Sequence, residues 1–159
     1  MQLLAAIFRD VTNHYIDGEE LSETHVELLQ GVLQEGTYIL NSDTSSSSNY
    51  CPASSSGRRI ALVSAIFGVT PGTDLSMYQG MHKGLDVFLS AVAASRLLED
   101  TLSLKQTAQL CCCLEATIPF RTAPSGSQSS PESSNPLDRL FARLEQANID
   151  FDLHMTPQE

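Results

Sequence analysis

GLDVFLSAVAASRLL, residues 84–98, places apolar or small side chains on nearly every side of a helical wheel. A helix with one apolar stripe lies on a surface, whereas one that is apolar almost all round sits inside a bundle. The spacing therefore predicts a central, buried helix from about Leu85 to Leu98. After it, Ser103 stands where an N-cap belongs, opening a helix that runs to Thr117 and is stopped by Pro119. A last amphipathic helix is expected from about Pro136 to Ala147, with Leu137, Leu140, Phe141 and Leu144 on one face. On the other side, Arg58 to Phe67 reads as an apolar helix closed by Gly68, and Pro71-Gly72 turns the chain. A second helix is expected from Ser22, with Val26, Leu29, Val32 and Leu33 as its stripe and Gly36 as its end. In the first, Leu3, Leu4, Ile7, Val11, His14 and Tyr15 recur at three- and four-residue steps. Only Thr37–Leu40 suggests a short extended piece. The expected class is all-α, a single domain of five to six helices over residues 1–150, with 151–159 a tail.

Two stretches interrupt the helical pattern. Residues 41–57 hold eight serines in seventeen positions, and residues 122–136 hold six serines and three prolines in fifteen. Neither has an apolar period that would offset the entropy of ordering it, so both read as flexible surface loops. The 159 residues are 42% hydrophobic and carry a formal charge of -10, with eight acids and one base (Arg9) in residues 1–57. That charge repels phosphate backbones and anionic lipid, which argues against nucleic-acid and membrane partners. Cys111, Cys112 and Cys113 are consecutive, so in a helix they point about 100° apart and cannot pair or jointly chelate an ion. With Cys51 in a serine-rich loop and no C-x-x-C pair, a disulfide framework and a zinc ribbon are excluded. The three read as small hydrophobes of a core helix, since nothing positive lies near to favour a thiolate. A reducing compartment and a soluble, cytoplasmic chain are the expectation.

Three places have side chains suited to chemistry. Asp10, His14 and Asp17 fall at i, i+4 and i+7 on one helical face, where carboxylate and imidazole can reach one divalent cation. The alternative is a solvated acidic helix end with an interfacial histidine. Glu115 is a single acid among Cys111, Cys112, Cys113, Leu114 and Ile118, and a carboxylate in such company needs a partner. Arg121 is a candidate, either closing the helix end with Glu115 or receiving an anionic substrate group bidentately. His82, in a glycine-punctuated loop with Asp86 one turn on, is a possible ligand or substrate contact, or a plain surface histidine. His25 and His154 have no acidic partner at a persuasive spacing. No nucleophile elbow, phosphate loop or dinucleotide fingerprint is present.

Taken together, AIFRDVTNHYIDGE (residues 6–19), GLDVFLSAVAASRLL and LEATIPFR (residues 114–121) resemble the HD-domain superfamily of metal-dependent phosphohydrolases. The likeness is to an HD-like family of bacteria and fungi, and it spans roughly residues 2–121. It implies a helical bundle of HD type that holds divalent metal (Mn, Fe, Zn or Mg) over a phosphate-containing small molecule. It also implies Asp10, Glu115 and Arg121 as catalytic residues. Asp17 matches the acid of its D-G motif; with His14 standing in for a lost ligand, the expected metal set is Asp10, His14, Asp17 and Glu115, and His82, from its loop position, joins Arg121 as an expected substrate contact. The histidine of the His-Asp doublet is Arg9 in this chain, and a guanidinium offers no lone pair to a cation. The family also has an upstream helix with a first histidine ligand, so the expectation is a chain truncated at its front or shed of that element. Arg9 is expected to neutralise Asp10 and Glu115 in the metal's stead, giving a degenerate enzyme. A non-catalytic acidic interaction module and a hydrolase with a rebuilt site are the alternatives. Without a helix to cover them, Leu3, Leu4 and Ile7 are expected to be exposed, which suggests a homodimer.

Overall fold

The computed structural model describes residues 1–9, 27–32, 55–75, 84–118 and 135–156. Five helices order these residues: α1 (Gln2–Phe8), α2 (Ser55–Phe67), α3 (Leu85–Leu97), α4 (Leu104–Glu115) and α5 (Pro136–Asp150). The chain is all-α, with no strand among the described residues.

The helix around which the sequence was read is the centre of the molecule. In α3 every residue from Leu85 to Ser95 is buried except Asp86. It packs against α1, α2 and α4, and α2 packs in turn on α4 and α5. Phe67 and Phe88 meet edge to face with ring centroids 5.5 Å apart, the geometry their quadrupoles favour. Ile60, Leu62, Val63 and Ile66 of α2 and Leu110, Cys111 and Leu114 of α4 complete the same core. Each such aliphatic side chain contributes about 1.5–3 kcal/mol by leaving water.

Local signals set most of the helix ends. The Ser103 hydroxyl accepts from the Gln106 N–H while the Gln106 carboxamide accepts from the Ser103 N–H, closing a capping box at the start of α4. Asn135 caps α5, with Pro136 in its first turn. Gly68 ends α2 at φ 63°, as expected from the sequence. Other boundaries differ from expectation. Helix α2 starts at Ser55, so Ser55–Gly57 belong to it rather than to the serine-rich loop. Residues 27–29 are helical, but the backbone turns at 30–32 with Gly31 at φ 74°, well short of Gly36. Helix α5 runs three residues past Ala147, and the chain beyond it re-enters the core through Phe151 and Leu153. That return is held by Asn148, whose carboxamide donates to the Met155 carbonyl (3.2 Å) and accepts from the Met155 N–H (2.9 Å).

Four arginines join the ends of different helices. Arg59, buried near the start of α2, donates to the carbonyls of Glu99 (2.8 Å) and Leu102 (2.5 Å) after α3, and to the Thr107 hydroxyl (2.7 Å) in α4. Arg58 donates to the Phe151 carbonyl at the end of α5 (2.9 Å). Arg96 donates to the carbonyls of Leu28 (2.7 Å) and Gln30 (2.8 Å), and burial lowers its pKa from the usual arginine value. Arg143 donates to the Ile66 carbonyl near the end of α2 (2.7 Å). Helix C-termini leave their last carbonyls without intrahelical donors and carry negative partial charge, so a guanidinium satisfies both needs.

Replacement of Arg59 by methionine keeps the volume but strands three buried acceptors. A loss of about 2–4 kcal/mol is expected, read as a lower urea midpoint with an unchanged slope.

Candidate functional site

The described parts of the three resembling segments, residues 6–9, 84–98 and 114–118, come together through the core. Helix α1 carries the start of the first and packs on α3 and α4, which carry the other two. At its end the Arg9 carbonyl accepts a 3.3 Å hydrogen bond from the Ser90 hydroxyl of the FLSA stretch. At the opposite end of α3, Gly84 has φ 88° and a Cβ there would lie 2.7 Å from Ile118 Cδ1 and 3.1 Å from its Cγ2. The glycine opening the second segment therefore leaves room for the isoleucine of EATIPFR. Positive φ and close approach both require glycine at this position.

Glu115 is the one proposed site residue that the described residues include; Asp10, His14, Asp17, His82 and Arg121 lie outside them. Its side chain is 7% exposed and forms an ion pair with Arg143, which is 24% exposed and reaches across from α5. The same guanidinium spans Gly68, whose missing Cβ would meet Arg143 Cδ at 3.0 Å. Arg143 thus joins the C-terminal ends of α2 and α4 from a third helix. The pairing differs from the expectation for Arg9. The cation beside Glu115 is Arg143, 28 residues away in sequence, and Arg9, expected to neutralise it, is exposed. A divalent ion at Glu115 would meet the like charge of Arg143. Among the described residues no three His, Cys, Asp or Glu side chains gather around one point.

The cysteines sit where the helix reading placed them. Cys111 is buried, Cys112 and Cys113 half-buried. Burial pushes the Cys111 thiol well above its usual range. Burial, Cys113 and then Glu115 push the Cys112 thiol from 9.0 to about 12, against a lowering by Arg143. Neither is a thiolate at neutral pH, so neither of these two is an activated nucleophile. His154 does have an acidic neighbour, Asp152 at 3.2 Å, but both are almost fully exposed. Each has positive φ (53° for Asp152, 52° for His154), so the turn after α5 brings the two side chains together.

The geometry sets three expected outcomes. Gly84→Ala should cost about 1–3 kcal/mol through backbone strain and displacement of Ile118, seen as a lower Tm. Arg143→Met should be more damaging than Glu115→Gln: about 2–4 kcal/mol against about 1–2, because the first strands a buried carboxylate. Raised folded-state pKa values of Cys111 and Cys112 stabilise the fold fully below pH 9.0, the ordinary thiol value. That stability should drain as pH climbs from 9.0 towards about 12, where unfolded thiols ionise and Cys112 does not, so denaturation midpoints should fall over this window.

Compared with known proteins, the chain matches no family model, no curated protein and no solved structure.

Proposed function

We propose that the chain is an HD-like protein, related to the metal-dependent phosphohydrolases, that keeps the helical scaffold and has lost most or all catalysis. The observation that carries this reading is the Glu115–Arg143 pair. The acid of LEATIPFR, which the resemblance assigns to chemistry, is buried against a guanidinium and joins helix ends. Arg9 in the histidine's place of the doublet supports the same reading, since arginine cannot ligate a cation. The packing of α1, α3 and α4 supports kinship at the level of which segments meet. Any residual turnover belongs to Asp10, His14 and Asp17 with a divalent metal, acting on a phosphate-containing small molecule with His82 and Arg121 as its contacts.

A second reading, an acidic interaction module, is favoured by the use of the cations. Among the described residues Arg58, Arg59, Arg96 and Arg143 donate to backbone carbonyls, in a chain that has nineteen acids against nine Lys and Arg. An acidic surface attracts basic partners and repels anionic ones.

Elemental analysis after loading with manganese, iron or zinc separates the degenerate enzyme from an active one. Far less than one ion per chain, and no phosphatase or phosphodiesterase turnover, is the expected result. A stoichiometric ion with metal-dependent turnover, both lost in Asp10→Ala, would overturn it.

A further inference from the structure

The outer face of α5 is apolar where solvent should be. Leu137, Phe141 and Ile149 are 48%, 62% and 74% exposed. On a wheel of 100° per residue they fall within an arc of roughly 120°, opposite the side on which Leu140 and Ala147 are buried. The sequence pattern alone assigned Leu137 and Phe141 to the inward stripe with Leu140 and Leu144. Docking on α2 and α4 turns the helix so that these two face out. Isolated exposed leucines are ordinary, but a phenylalanine flanked by two large aliphatic residues on one helix face is a contact surface without its contact.

The charges along that face say what covers it. Asp138 and Glu145 lie within the same arc, both exposed. A second copy of the chain would bring identical acids, and a formal charge of -10, against this stripe. An anionic bilayer would be repelled in the same way. A helix with leucine-like residues on one side and lysines or arginines flanking them satisfies both the apolar residues and the carboxylates.

We propose that the outer face of α5 is a docking site for a basic amphipathic helix of a protein partner, with Phe141 as the central anchor and Asp138 and Glu145 selecting its charge. The inference deepens the reading as an acidic interaction module and needs no metal or catalysis.

The probe is a fluorescent synthetic peptide of leucine, alanine and lysine, about 15 residues long, with leucines at helical spacing. Its counterpart carries glutamate at every lysine. The lysine peptide should bind by fluorescence anisotropy and the glutamate peptide should not. Phe141→Ser should weaken binding about tenfold or more, and raising NaCl from about 0.05 to 0.5 M should weaken it several-fold. Leu3→Ser, on the exposed face of α1, should leave affinity unchanged. Phe141 is exposed, so circular dichroism of Phe141→Ser should match the parent. No binding, equal affinity for both peptides, or a loss that follows Leu3→Ser instead of Phe141→Ser would overturn the proposal. So would a dimer in sedimentation that Phe141→Ser dissolves, because the occupant would then be a second copy. Metal content and turnover do not enter these readouts, so the docking surface and the degenerate-enzyme reading fail or stand separately.

Discussion

Guanidinium groups reaching the carbonyls at the ends of neighbouring helices hold this bundle in register. A short helix leaves its last carbonyls unpaired, and in a core as apolar as that around α3 those oxygens need donors. Arg59 ties the start of α2 to the turn between α3 and α4, Arg58 ties it to the end of α5, and Arg143 ties α5 back to the end of α2. Arg96 brings residues 28–30 onto α3. Hydrophobic burial is not directional, so it brings helices together without fixing how far each slides along its neighbour. A forked donor aimed at particular carbonyls adds that specification.

The same constraint shapes the surface. A chain with nineteen acids and nine bases that commits four bases to internal carbonyls presents few cations outside. The acidic character visible in the composition is therefore strengthened by folding. It meets exposed apolar residues on α5, and that combination distinguishes the helix from a merely solvated one.

Arg143 connects this architecture to the question of chemistry. Its guanidinium passes over Gly68, pairs with Glu115, and places a positive charge beside the acid that the resemblance associates with catalysis. Cys112, one turn before Glu115, feels both charges, and burial still dominates its titration. The Glu115–Arg143 pair thus ties the end of α4 to α5.

Local pattern was enough for the all-α class, the buried position of α3, the capped start of α4, the glycine end of α2 and the burial of Cys111 in a core helix. All of these depend on residues within a turn or two of one another, where helical spacing and capping chemistry act. It also marked Glu115 as an acid that needs a partner. That Arg143 pairs with it is not legible locally, because a contact across 28 residues depends on how α5 docks. The face that α5 turns outward was decided in the same way. Leu137, Leu140, Phe141 and Leu144 form one broad stripe on the wheel, and a stripe wider than the contact must leave part of itself in solvent. Which part is left depends on where Arg143 and Phe151 are held by the other helices, and no local pattern contains that information.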